Sequence, residues 1–193
     1  MNKLTLPLLA LATASIFSGC ASPKNATYVD PKGTDTIVSL NKINIQDWNQ
    51  AADLLVADLM ASGVLERAPE QPAVLAISRI TNKTSNQVDI NSLTKKIRVA
   101  LMQSGKVLTT SLISYDGVED PLAKELGAQQ GATTPKPYYT LSGLLLEDKA
   151  SAGKINQITY TFQLSLTTVK DGLAVWESEQ QITKMGKQST VGW

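Results

Sequence analysis

The stretch that most restricts the fold is residues 156–169, in which apolar and polar residues alternate. A period of two predicts a β-strand with one face in a core and the other in water. Asp171-Gly172 follows, a pair typical of a tight hairpin, so residues 173–185 are predicted to return as the partner strand. The side chains predicted to face the core are Ile158, Tyr160, Phe162, Leu164 and Leu166.

Two amphipathic helices are predicted before this hairpin. Residues 44–63 and 91–105 repeat apolar side chains at intervals of three or four, and each range ends in a glycine. The nearly continuous apolar run at 73–80 predicts a strand covered on both faces. Shorter strands are predicted at 106–111 and 138–146.

Residues 112–137 admit two interpretations, a helix that begins near Pro121 or a mobile excursion. The order strand, helix, strand and then a meander predicts an α+β fold, a mixed β-sheet with helices packed mainly on one face. We expect a single α+β globular domain over residues 44–193, long enough to bury one core.

The first 20 residues resemble a bacterial lipoprotein signal. Lys3 precedes an apolar run, residues 4–14, that is too short to span a membrane. Residues 17–20, Phe-Ser-Gly-Cys, resemble a lipobox and hold the chain's one cysteine. We therefore predict a lipoprotein signal peptide at 1–19 and acyl chains, such as palmitate, on Cys20. The alternative is an ordinary signal peptide that happens to contain a cysteine.

Residues 20–43 are rich in Pro, Gly, Asn, Thr and Ser, which predicts a flexible, lipid-anchored tether. Ala21 follows the cysteine at the place where an Asp would typically retain a lipoprotein in the inner membrane. The expected localisation is therefore the outer membrane, with the domain facing the periplasm.

Composition excludes several kinds of chemistry. The chain has no histidine, which excludes Ser-His-Asp catalysis and histidine-ligated zinc. A formal charge of +1 gives no basic field for nucleic acid. No catalytic, metal or cofactor site and no small-molecule substrate are predicted. Three charged groupings are interpreted as solvated turns or chance spacing: Asp116 with Glu119 and Asp120, Glu147-Asp148-Lys149, and Ser92 with Lys95.

The polar segment 81–89, "TNKTSNQVD", has no periodicity and is predicted to be a loop. Two interpretations stay open for it. It is either an exposed connection or a polar contact surface, because binding residues tend to lie on irregular segments of rigid scaffolds.

Three segments follow the lipobox and Trp48 in the order "AVLAISRITNKTS" (73–85), "LTKKIRVALMQSGKV" (93–107) and "GLAVWESE" (172–179). This order resembles that of the LpoB family of outer-membrane lipoproteins. The resemblance implies an α+β sandwich akin to the N-terminal domain of TolB. It also implies a non-catalytic activator, not an enzyme, that binds the accessory domain of a bifunctional penicillin-binding protein and so regulates peptidoglycan synthesis and cell shape.

By position, the resemblance implies partner contacts at Asn82, Lys83, Thr84 and Ser85. The best-known members carry a long Pro-rich tether, whereas this one spans roughly 70 Å at ~3.1 Å per residue. Which synthase is the partner therefore stays open. The alternatives are a lipoprotein of an assembly or secretion complex, as in curli export, and a glycan hydrolase, which would need paired carboxylates in a cleft.

Overall fold

The computed structural model describes residues 26–31, 33–110, 120–131, 133 and 135–187. The predicted signal peptide, Cys20, Asp116 and Glu119 lie outside the described residues. The chain divides into two compact units, with the boundary between Thr36 and Ile37. All the helices and strands described below belong to the second unit.

Three α-helices and five strands make up the described part of that unit. Their order along the chain is α1 (Ile45–Ala61), β1 (Ala73–Asn82), α2 (Ile90–Gln103), β2 (Val107–Thr109), α3 (Pro121–Gln129), β3 (Tyr139–Ala152), β4 (Ile155–Thr168) and β5 (Ala174–Lys187). A 3-10 turn at Leu65–Arg67 follows α1.

The strands form one mixed sheet in the order β2-β1-β3-β4-β5. β1 runs parallel to β2 and β3, whereas β3, β4 and β5 form an antiparallel meander. Side chains from α1 and α2 meet the inner face of this sheet in one core. The predicted α+β fold, a mixed sheet with helices mainly on one face, is confirmed.

β4 lies at the centre of the meander and shows the predicted alternation. Its even-numbered side chains from Ile158 to Thr168 are all buried, and the odd-numbered ones between them are partly exposed. Burying each large apolar side chain contributes roughly 1.5–3 kcal/mol, so this strand alone supplies a large part of the core energy. The predicted hairpin is also confirmed, since β4 and β5 pair along nearly their whole length.

Both amphipathic helices are confirmed, and each begins at a polar cap. Asp47 accepts a hydrogen bond from the backbone N–H of Asn44 at 2.7 Å before α1. Asp89 accepts from the N–H groups of Asn91 and Ser92 before α2. Shortly after the helices the chain takes a positive φ at two glycines, Gly63 and Gly105, a conformation that costs a side-chain-bearing residue more.

Three strand predictions need correction. β1 is interrupted by a shift of register between Ile77 and Ile80, which leaves Ser78 and Arg79 exposed. The prediction of cover on both faces is therefore wrong for its second half. β1 also continues through residues 81–82, and β3 continues past residue 146 because it pairs residue by residue with β4.

Part of the ambiguous segment 112–137 is helical, as one of the two interpretations proposed. α3 begins at Pro121, and the Asp120 side chain accepts a hydrogen bond from the N–H of Ala123 at 2.9 Å. No residue of α3 is buried. Local capping, rather than packing, therefore accounts for this helix.

Candidate protein-contact site after strand β1

The candidate site is the contact loop, which we define as residues 82–86, from the last residue of β1 into the connection to α2. The chain leaves β1 alongside β3, and the N–H of Lys83 still donates to the carbonyl of Leu145 at 2.8 Å. The loop therefore starts from the middle of the sheet, next to its central strands.

Asn82 and Thr84 shape the loop from within. The Asn82 Oδ1 accepts from the N–H of Thr84 at 2.9 Å and from its hydroxyl at 2.8 Å. The Asn82 Nδ2 donates to the carbonyl of Asn86 at 2.7 Å. Because their polar atoms are used inside the loop, these two residues fix its form.

Glu147 on β3 anchors the loop from one side. Its carboxylate accepts from the N–H of Ser85 at 2.7 Å and from the Ser85 hydroxyl at 2.8 Å. Lys149, the next residue on the same face of β3, lies 2.5 Å from Glu147 and donates to the Ser85 Oγ at 3.0 Å. The Glu147 side chain is only 5% exposed. The interpretation of residues 147–149 as a strand end turning in water is thus wrong.

Neighbouring groups shift the pKa values of Glu147 and Lys149 so that both side chains stay charged. Burial raises the pKa of Glu147, but the Lys149 ammonium and the Ser85 N–H and hydroxyl outweigh it and hold that pKa below its usual range. Glu147 in turn raises the pKa of Lys149. A lysine must be neutral to act as a general base, so Lys149 is unsuited to activate the Ser85 hydroxyl.

Tyr160 on β4 anchors the loop from beneath. The Asn86 Nδ2 donates to the Tyr160 hydroxyl oxygen at 3.2 Å. Tyr160 is fully buried, and burial raises its pKa. The loop therefore has two tertiary supports, the Glu147 carboxylate and the Tyr160 hydroxyl, which lie on paired positions of adjacent strands.

The Lys83 side chain takes no part in these supports. Its side chain is exposed, and within the described ranges its ammonium has no hydrogen-bond or ion-pair partner. The hydroxyl of Ser85, although exposed, is already bonded to Glu147 and Lys149. Of the four predicted contact residues, the structure thus leaves Lys83 available and commits the side chains of Asn82, Thr84 and Ser85 to holding it in place.

The other groupings noted in the sequence have structural roles. The Ser92 hydroxyl donates to Asp89 at 2.6 Å, as part of the cap of α2. Trp48 and Trp176 pack against the core, and the Trp176 indole N–H donates to Asp58. Across the described parts of the chain, no three His, Cys, Asp or Glu side chains gather as a metal site would require.

Glu147, Lys149 and Tyr160 are the residues of the site that sequence reasoning missed. One signal was available for Glu147: it occupies the same face of β3 as Leu141 and Leu145, which are buried. A carboxylate that continues a buried series needs a partner, and the partner lies 62 residues earlier in the chain.

None of the helices in the described residues combines the length and hydrophobicity needed to cross a bilayer. The contact loop presents the exposed Lys83 side chain from a support on two strands of the sheet. Binding residues tend to lie on such irregular segments of a rigid scaffold.

Comparison with known proteins identifies the family. Residues 47–182 match the family described as peptidoglycan-synthase activator LpoB, so the chain belongs to the LpoB family. A search of curated proteins finds no match.

Solved structures also resemble the chain. It is 20% identical to the LpoB C-terminal domain from Salmonella enterica, with a TM-score of 0.43, covering 70% of this chain and 98% of that one. The same domain from Escherichia coli is 18% identical, with a TM-score of 0.43, covering 72% of this chain and 99% of that one. Lipoprotein GNA1162 from Neisseria meningitidis is 15% identical, with a TM-score of 0.39, covering 59% of this chain and 84% of that one.

Proposed function

We propose that this chain is a lipid-anchored, non-catalytic activator that docks its contact loop on the accessory domain of a bifunctional penicillin-binding protein. Its family consists of peptidoglycan-synthase activators. The observation that carries the finer proposal is Lys83, an exposed cation without an internal partner on a loop held by Glu147 and Tyr160.

A pinned loop suits this role for two reasons. Ordering a flexible segment on binding costs roughly 0.5–1.5 kcal/mol for each side chain that is immobilised. Because hydrogen bonds already order residues 82–86 in the folded domain, little of that cost remains when the loop binds a partner. A cation at the rim of an interface mainly raises the association rate and sets orientation against an acidic patch. The partner surface is therefore expected to be acidic.

The anchor belongs to the same proposal. Cys20, after removal of residues 1–19, would carry the acyl chains that hold the protein at the periplasmic face of the outer membrane. Residues 20–36, ahead of the compact unit that begins at Ile37, span about 50 Å at ~3.1 Å per residue. The synthase must then bring its accessory domain within that reach.

The contact is tested by Lys83→Glu, with Lys170→Glu in the β4–β5 turn as the matched charge reversal elsewhere. Binding of each full domain to the bifunctional synthase of its own organism is measured by surface plasmon resonance. Lys83→Glu should weaken binding about tenfold, mostly through slower association, whereas Lys170→Glu should leave it unchanged. Equal binding by both variants, with equal thermal unfolding, would refute the contact at Lys83.

The activity and the anchor need separate tests. A soluble form covering residues 24–193 should accelerate glycan polymerisation by that synthase, and absence of both binding and stimulation would overturn the proposed function. Cys20→Ser should move the protein from the membrane fraction to the soluble fraction. If the wild-type mature protein carries a free thiol by mass spectrometry, the lipid anchor is refuted.

A further inference from the structure

Lys184 on β5 is a buried lysine that the contact loop does not use directly. It is 7% exposed, and its ammonium lies 2.5 Å from the carboxylate of Asp47 in the first turn of α1. It also donates to the Asn44 Oδ1 at 2.6 Å and to the carbonyls of Lys42 at 2.8 Å and Ser39 at 3.2 Å. Three of its four partners thus belong to residues 37–44, which we call the arm.

The arm closes around this ammonium. The Asn44 side chain accepts from the N–H of Ser39 at 3.1 Å and donates to the carbonyl of Ile37 at 2.9 Å. Leu40 packs against the core beside Gly186 of β5. The arm is therefore part of the folded unit, with Lys184 as its central polar contact.

Tyr160 lies between the arm and the contact loop. The Lys184 Nζ sits 5.7 Å from the centre of the Tyr160 ring, within the range of cation–π attraction. The Tyr160 hydroxyl accepts from Asn86 of the contact loop. Tyr160 is also the register partner of Glu147 on one side and of Ile182 on the other. One side chain thus meets the lysine that holds the arm and the amide that holds the loop.

We propose that docking of the arm and ordering of the contact loop are coupled through Lys184 and Tyr160, which act as positioning residues for the loop. When the arm leaves, the Lys184 ammonium loses three oxygen partners and keeps only Asp47, and a buried charge that has lost most of its hydrogen bonds shifts toward water. That shift removes the cation from the Tyr160 ring and loosens the hydroxyl that supports Asn86. This coupling goes beyond the proposed function, because it holds whatever the loop binds.

The direction of the coupling has a physical consequence at the N-terminus. The arm is the first part of the folded unit, and the chain before it leads back to Cys20. Tension on that chain acts on the arm first, and through Lys184 it reaches the surface that presents Lys83. Coupling free energies of this kind typically correspond to factors of 5 or more in an equilibrium.

The test is amide hydrogen exchange measured by NMR, without any partner. Leu40→Ala weakens the arm, because Leu40 is the apolar side chain of the arm that packs beside Gly186 of β5. The Ser39 amide donates to the same Asn44 Oδ1 that accepts from Lys184, so its exchange reports opening of the arm at that ammonium. Exchange of the Ser85 and Asn86 amides reports opening of the contact loop. We expect the loop amides to exchange about fivefold faster in Leu40→Ala. In Tyr160→Phe, which removes the hydroxyl, adding Leu40→Ala should change them no further.

Val107→Ala in β2 is the control for global destabilisation, because Val107 is buried away from the network. Equal acceleration of the loop amides by Val107→Ala, or by Leu40→Ala in the Tyr160→Phe background, would overturn the coupling. The coupling would also be overturned if the Ser39 amide exchanged faster in Leu40→Ala while the exchange rates of the Ser85 and Asn86 amides stayed unchanged. If Leu40→Ala leaves Ser39 protected, Lys184→Met removes the ammonium directly and is judged by the same criteria.

Discussion

The contact loop and helix α3 form an instructive contrast. Residues 82–86 have almost no regular secondary structure, yet they are tied to side chains of β3 and β4 more than 60 residues away. α3 is a regular, capped helix, yet none of its residues is buried, and Leu122 and Leu126 are 63% and 44% exposed. Regular hydrogen bonding along the chain and fixation in the tertiary structure are therefore separate properties here.

The two segments differ in how far apart in the sequence their hydrogen-bonded residues are. Those of α3 run between residues that are neighbours in sequence, and its cap, Asp120, acts within its own first turn. Those of the contact loop reach Glu147 and Tyr160 across the sheet. Breaking the loop's bonds should therefore cost global stability, whereas changes in α3 should stay local.

The largest effect is expected for Glu147→Ala. The substitution leaves the Ser85 N–H without its carboxylate and exposes a nearly buried site, so we expect a loss of about 2–3 kcal/mol in the free energy of unfolding by urea. Leu126→Ala on α3 is the counterpart and should stay within about 0.5 kcal/mol of wild type. Comparable losses in the two variants would contradict the contrast.

Asn82→Ala should have a smaller effect. It removes the acceptor for Thr84 and the donor to the Asn86 carbonyl, but these bonds join neutral groups and are weaker than bonds to a carboxylate. The expected loss is about 1–2 kcal/mol in the same urea titration. An unchanged midpoint would mean that the internal bonds of the loop do not contribute to stability.

Acid should weaken the Glu147 anchor. The folded-state pKa of Glu147 is depressed, so its contribution is fully present above the ordinary glutamate pKa of about 4.3 and is lost as the pH falls through the lower folded-state value. The stability difference between wild type and Glu147→Gln at neutral pH should therefore shrink at about pH 3. A difference that is independent of pH would show that the carboxylate charge is not used.

The two Asp caps should give the smallest effects and the cleanest comparison. Asp89→Ala removes the cap of α2, which packs on the sheet, and should lower Tm by a few degrees. Asp120→Ala removes the cap of α3 and should leave Tm unchanged while the Ala123 amide exchanges faster. A drop in Tm for Asp120→Ala as large as that for Asp89→Ala would mean that α3 is coupled to the fold after all.

Periodicity was sufficient to predict most of the fold. The alternation of β4 and the stripes of α1 and α2 are repeated signals, and each comes from a buried face that the residues themselves must supply. The ends of β1 and β3 were misplaced because a strand extends as far as its neighbour pairs with it. β1 continues to residue 82 because it pairs with β3, and β3 continues to residue 152 because it pairs with β4; neither pairing leaves a regular alternation at the polar end of the strand.

The place of the contact loop was also predictable, because residues 81–89 lack periodicity, although the first two of them belong to β1. Its supports were not identified. Glu147 continues the buried face of β3 and so signals that it needs a partner, but the sequence does not say which residue that partner is. Glu147 and Tyr160 act on the loop across 62 and 74 residues. Lys184 is similar, since its partners in the arm lie about 140 residues away.

The buried position of Lys184 also bears on how the domain should be produced and trimmed. A recombinant fragment that begins at Asn44 would omit the carbonyl groups of Ser39 and Lys42 and the apolar cover of Leu40. In such a fragment the Lys184 ammonium would face solvent, with only Asp47 and Asn44 left as hydrogen-bond partners. Fragments for crystallisation or screening should accordingly start ahead of Ile37, and shorter ones should prove harder to keep soluble.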